Sequence, residues 1–205
     1  MGLLDRFRRV DAEAPASYAA ASRGSAEEHN AAGLEMMRRG LIPEALEEFR
    51  CGLRLNAGSA EICYNIGVAH EHLSEAKKAA EWYERAVRLA PDFVEAYCSL
   101  GTAYSRMGKG LDAIKTCIQA IRLNPTHLDA HNSLALAYFH WGSYPEAAKA
   151  CNKALAIDPG YAQAHYTLGL IHVDLGDKHK ALAQYNILKD SDPPLAQHLL
   201  EQIPR

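Results

Sequence analysis

The sequence repeats itself every 34 residues, five times in succession from Ala26 to Leu195, without an insertion or deletion between blocks. A strict period of that length is the signature of stacked helix pairs, because each unit carries an apolar face that only its neighbour can cover. The register is visible column by column. Gly33, Gly67, Gly101, Ala135 and Gly169 hold the eighth position of each block, and Ala45, Ala79, Ala113, Ala147 and Ala181 the twentieth. Met36, His70, Tyr104, Tyr138 and His172 form the eleventh column, and Phe49, Tyr83, Cys117, Cys151 and Tyr185 the twenty-fourth.

Within a block, positions four, seven, eight and eleven, such as Tyr97, Leu100, Gly101 and Tyr104, recur at spacings of three and four. That spacing lines them along one side of a first helix, helix A. Positions 20, 24 and 27, such as Ala79, Tyr83 and Ala86, form the matching stripe of a second, helix B. Met107-Gly108-Lys109 and Trp141-Gly142-Ser143 mark the break between the two. A glycine inside a helix costs about 1 kcal/mol against alanine. Its recurrence at position eight therefore implies that helix B comes too close to admit a side chain, and the alanine at position 20 answers the same demand. Helix B ends at Ala90-Pro91, Asn124-Pro125, Asp158-Pro159 and Asp192-Pro193, where proline removes a donor and bars its predecessor from helical geometry. The first block has Asn56-Ala57-Gly58 in that place.

These columns resemble the tetratricopeptide repeat, with its small residue at position eight, alanine at 20, aromatic at 24, small residue at 27 and proline at 32. The third block, VEAYCSLGTAYSRMGKGLDAIKTCIQAIRLNPTH, is close to that family's consensus. Departures are confined to size changes in the core: Cys117 and Cys151 for the aromatic, Gly52 and Leu188 for the alanine at 27, Ala135 for the glycine. The resemblance implies an all-α, right-handed α-solenoid of five repeats over residues 26–59, 60–93, 94–127, 128–161 and 162–195, followed by a C-terminal cap over 196–205. It specifies a fold and leaves the partner open, because one fold hosts many functions.

Composition narrows the classes. A net charge of −3 gives no electrostatic footprint for nucleic acid. Leu3 and Leu4 run at once into Asp5-Arg6-Phe7-Arg8-Arg9, which leaves no apolar core for a secretory signal, and no stretch approaches the length of a membrane span. The five cysteines are odd in number and form no Cys-x-x-Cys pair, and three of them fall at or near core positions of helix B. The expectation is a reduced, cytoplasmic protein.

The ends stand outside the array. Residues 1–25 divide into a linker rich in Ala, Ser, Asp and Glu and a start in which Leu3, Leu4, Phe7 and Val10 share a helical face with Arg6, Arg8 and Arg9 alongside. That start reads either as a short amphipathic anchor for an acidic membrane surface or a partner groove, or as an unstructured terminus, since so short a helix is marginal alone. Gly2 is present, but Arg6 stands where a myristoylation signal needs Ser or Thr. At the far end, Leu195, Leu199, Leu200 and Ile203 form an apolar stripe suited to covering the last repeat, with Asp192 as its N-cap and Pro193 in its first turn.

Ten histidines invite a test for metal or catalytic chemistry. His70 and His72 are two apart and point to different sides of a helix, His29, His131 and His165 share the packing column at position four, and His70 and His172 fill an aromatic slot. His72 and His140, at position 13, read as exposed groups that titrate near neutral pH. No His-Glu-x-x-His, Gly-x-Ser-x-Gly or phosphate-cradling glycine loop occurs. The sequence thus predicts no enzyme, no metal and no cofactor.

What remains is the inner face that the resemblance assigns to helix A positions two, five, six, nine, twelve and thirteen, a helical stripe distinct from the packing stripe. Position two reads Glu27, Glu61, Glu95, Asp129, Gln163, an acidic edge. Asn30, Leu34, Tyr64, Asn65, Val68, Asn132, Leu136, Phe139, Tyr166 and Leu170 are the candidate groove residues, with amides to bond a peptide backbone and apolar groups to seat its anchors. Relatives that grip acidic chaperone tails use a clamp of Lys, Asn and Arg; here Asn30 and Asn65 match the asparagines, but Glu95 and Ser99 stand where the cations are needed. The expected role is a non-catalytic scaffold binding a neutral or basic peptide or helix of a partner protein. A self-assembling homo-oligomeric platform, with membrane association through residues 1–10, and a regulatory subunit of an enzyme are the alternatives.

Overall fold

The computed structural model describes residues 24–204, and all regular structure among them is helical. Five pairs follow one another: α1 (Ala26–Arg38) with α2 (Ile42–Leu55), α3 (Ala60–His72) with α4 (Ala76–Leu89), α5 (Val94–Arg106) with α6 (Gly110–Leu123), α7 (Leu128–His140) with α8 (Tyr144–Ile157), and α9 (Ala162–Asp174) with α10 (Lys178–Ser191). A final helix, α11 (Pro193–Gln202), closes the order. The pairs match the five sequence blocks; the two helices of each pair pack on one another, as do neighbouring pairs within residues 58–204. The residues fall into two compact units, 24–57 and 58–204, which divide where the first block lacks its proline. The amphipathic start predicted for Met1–Val10 lies outside the described residues.

Local chemistry sets the helix ends. Ser25 and Glu28 form a reciprocal capping box at α1, with bonds of 3.2 and 3.1 Å that satisfy two otherwise orphaned donors. Ser59 accepts from the Ile62 amide at α3. Asp192 caps α11 by accepting from the Leu195 amide at 3.0 Å, as its position predicts. Each A helix is followed by a residue in the left-handed region: Gly40, Gly108, Gly142 and Gly176 have φ between 72° and 80°, and Ser74 takes φ 58° in the second block. Only the serine carries a steric cost there, because its Cβ crowds the next carbonyl.

The pairing of A with B rests on position eight. A Cβ on Gly33 would stand 2.5 Å from the Phe49 ring, one on Gly67 2.5 Å from Tyr83, and one on Gly101 2.4 Å from Cys117 Sγ. Phe49, Tyr83, Cys117 and Cys151 are wholly buried, as are the alanines at position 20. In the fourth block Ala135 and Cys151 share one buried cluster, both wholly buried. The fifth block departs from the column. The void over Gly169 is filled by Leu199 of α11, whose Cδ2 lies 2.4 Å from the position of a Cβ. Tyr185, expected in that seat, is displaced and half-buried.

Around Leu199 gather Leu188, Ala196 and Ile203, with Leu195 partly covered. Leu200, assigned to the same stripe by spacing, is 36 % exposed, and Ala196 takes its place in the seam. The position-four histidines are buried between the helices as their column predicts. In the aromatic slot, His70 meets Glu75 through Nδ1 at 2.7 Å, whereas Nδ1 of His172 is buried without a partner. Burial, followed by the charge of Lys180, holds the His172 imidazole below its ordinary range. Of the position-13 pair, both exposed, His140 is also held low, by desolvation and then by Arg106.

Two outcomes are expected. Leu199→Ala should cost about 2–5 kcal/mol in denaturant unfolding and free α11 first, with Tyr185→Ala costing less; equal losses would mean that Tyr185 still holds the seat. Because the unfolded chain binds a proton more readily than the half-buried His172, that slot favours folding above about pH 6.5 and loses its contribution as the pH falls. His172→Phe should therefore shrink the drop in Tm between about pH 7.5 and pH 5.5.

Candidate functional site

The A-helix face is built differently in each repeat. In the unit formed by residues 24–57, Asn30 is buried and Leu34 is exposed, and Ala31, Leu34 and Arg38 frame a shallow hollow of about 330 Å³. In the larger unit, α3 is buried over most of its circumference, through Ile62, Cys63, Ile66, Gly67 and Ala69. Asn65 shares that burial, at 7 % exposure. This corrects the expectation for Asn65: its amide is a structural group, and it offers little surface to a peptide.

Tyr64 turns its ring into an aromatic cluster, 5.5 Å from Tyr83 and 5.0 Å from Phe93 between centroids. Val68 is half-buried beside it. The Tyr83 hydroxyl donates to Glu71 at 2.9 Å, which brings a carboxylate of position twelve to the face. Burial, reinforced by Glu71, pushes the Tyr83 phenol far above its usual range, so it serves as a fixed donor. In α5 the face is shallow: Cys98 is buried, and Thr102 and Ser105 donate to the helix's own carbonyls.

The fourth repeat carries the most usable surface. Asn132 is half-buried, and its Oδ1 accepts from the Thr167 hydroxyl at 2.9 Å. Its NH2 group has no protein partner among the described residues and is left to donate elsewhere. Leu136 is half-buried one turn further on. Phe139 packs partly on the core and contacts His140 and Tyr144 at 5.4 and 5.9 Å. In the fifth repeat the cap intervenes. Tyr166 stacks on His198 of α11 at 5.6 Å and shares a 2.7 Å hydrogen bond with its Nδ1, and Leu170 packs toward the same helix. Sequence spacing gave no sign that the cap would lean on Tyr166 and Leu170.

The acidic edge is real and partly engaged. Glu61, Glu95 and Asp129 are exposed. Glu95 lies 3.6 Å from His127, and Asp129 accepts from the Tyr161 hydroxyl. The cysteines are all free and buried, and burial pushes the Cys98, Cys117 and Cys151 thiols up to about 12. No cluster of three metal-ligating side chains is present among the described residues, and no helix there is long and apolar enough to cross a membrane.

A face of amides and apolar groups on stacked A helices, packed against B helices through a small residue at position eight, defines a helix-pair repeat protein of the kind that commonly mediates protein–protein interaction. The chain belongs to the tetratricopeptide repeat family, whose signatures match residues 98–162 and 139–203, with a TPR repeat signature over 73–108. No curated protein matches the chain. Among solved structures it is similar to TTC0263, a thermophilic TPR protein of Thermus thermophilus, at 21 % identity and TM-score 0.76 over 86 % of this chain and 98 % of that one. It is also similar to MamA from Desulfovibrio magneticus, at 21 % identity and TM-score 0.67 over 82 % and 96 %. YrrB, described as a TPR protein with an unusual peptide-binding site, aligns at 22 % identity and TM-score 0.59 over 84 % and 90 %. At such identities the likeness extends to the fold.

The Asn132–Thr167 bond ties α7 to α9 across a repeat boundary, and Thr167 is 1 % exposed. Removing either partner should cost about 1–3 kcal/mol, and a double-mutant cycle of Asn132→Ala with Thr167→Val should show coupling near about 1 kcal/mol. Additive losses would show that the two groups do not depend on each other.

Proposed function

We propose that the protein is a non-catalytic scaffold that holds a neutral or basic peptide or helix of a partner protein on the A-helix face of its second to fourth repeats. The observation that carries this reading is the fourth repeat: Leu136 and Phe139 offer half-buried apolar surface beside the unpartnered NH2 of Asn132. Apolar surface half-covered by its own fold is readily desolvated by an incoming side chain, and an amide donor fixes the backbone alongside. Glu61, Glu95 and Asp129 along position two repel an acidic tail and draw a basic segment. A peptide-binding site on a similar fold in YrrB supports the reading. Asn65, being buried, acts behind this surface, Asn30 is buried within its own unit, and Tyr166 and Leu170 sit at the margin that the cap helix covers.

The test uses the full chain as bait. Leu136→Ala removes an anchor and Glu61→Lys with Glu95→Lys reverses the edge, and none of the three touches the seat at position eight. Partners retained by the wild type should be lost with Leu136→Ala and weakened about tenfold by the charge reversal, with Tm held within about 3 °C. Capture unchanged in both variants would remove the A-helix face from consideration.

A further inference from the structure

A groove of about 720 Å³ lies away from the A-helix face, between helices α6 and α8, with α7 as its floor. Ile118 and Ile121 line one wall, Leu134 and Tyr138 the floor, and Ile157 the opposite wall. Arg122, Lys149 and Lys153 stand around it, against a single carboxylate, Glu146, which lies 3.8 Å from Lys149. Its volume and its mixture of apolar walls with a few polar groups fall in the range of small-molecule sites.

Comparison of the repeats shows why the hollow forms here. Three blocks carry histidine at position four. In the first, Nδ1 of His29 meets the Glu48 carboxylate at 2.7 Å, and in the fifth, Nδ1 of His165 meets Gln184 at 2.8 Å. Both partners lie 19 residues downstream, on helix B. In the fourth block that position is Ala150, itself part of the groove lining. His131 is only 8 % exposed, and its Nε2 is committed to the Pro125 carbonyl at 2.9 Å, as Nε2 of His165 is to Pro159 at 3.0 Å. A carbonyl only accepts, so Nε2 carries a proton and Nδ1 is the open atom. Among the described residues Nδ1 of His131 has no partner. The side chain that fills this place in the first and fifth blocks is missing, and space is left beside the imidazole.

We propose that this groove binds a long-chain carboxylate, with its alkyl tail on Ile118, Ile121, Leu134 and Tyr138 and its carboxylate held by the basic rim of Arg122, Lys149 and Lys153. Three cations against one anion select an acid headgroup. The basic start of the chain, with Arg6, Arg8 and Arg9, has the wrong sign for this rim. The hollow is confined to the joint between α6 and α8, which suits one amphiphile better than an extended helix. The site is separate from the A-helix face and does not depend on the scaffold reading.

The probe is sodium dodecanoate below its micellar concentration, titrated into the full chain by calorimetry, with dodecyltrimethylammonium as the charge control. Dodecanoate should saturate one site and the cation should not. Ala150→Gln restores the arrangement that Gln184 has in the fifth block, so it should fold with an undiminished Tm and lose saturable binding. Lys149→Glu with Lys153→Glu, both exposed, should weaken binding about tenfold. Absence of saturation, equal binding by Ala150→Gln, or equal binding of the cation would each overturn the proposal. A protein partner lost with Ala150→Gln, when dodecanoate itself fails to bind, would also overturn it and assign the groove to a helix.

Discussion

Close approach of two helices at one residue governs this molecule. Where Gly33, Gly67 and Gly101 meet Phe49, Tyr83 and Cys117, no β-carbon fits on the A helix, and each pair docks through a ring or thiol laid against bare backbone. That contact fixes how helix B sits on helix A, and with it which residues of helix A turn outward. In the fifth repeat a leucine from outside the array occupies the seat over Gly169.

Much of this was legible in the sequence because the period is strict and each column has one steric meaning. Position eight, the alanines at 20, the helix-ending prolines, the Asp192 cap and the buried histidines at position four all follow from spacing and side-chain size. What spacing does not convey is depth. Asn65 and Asn132 are neighbours in the pattern, yet one is buried in a helix covered on most sides and the other keeps an amide edge open. Nor does a column show which of two side chains wins a shared seat, as with Leu199 and Tyr185, or how α11 would meet Tyr166. Sequence reasoning also passed over Ala150. The signal was available in the residues 19 places after each position-four histidine, but it acquires meaning only once Glu48 and Gln184 are seen to bond those rings.

The two surfaces that emerge differ in their physics. The A-helix face is shallow and edged with carboxylates, which suits a ligand that brings its own backbone donors and positive charge. The groove against α8 is mostly apolar and edged with cations. A solenoid can carry both because A and B helices present separate sides, and a substitution on one need not disturb the other.

The buried thiols give the array a property of their own. Cys51 belongs to the first repeat, Cys63 to the second, Cys98 and Cys117 to the third and Cys151 to the fourth, and every one is shielded from solvent. Each remains inert while its repeat is closed and reacts only when that repeat opens. The chain thus carries a built-in set of chemical reporters, spaced along its length, from which the order of fraying can be read by the rate at which each sulfur is alkylated.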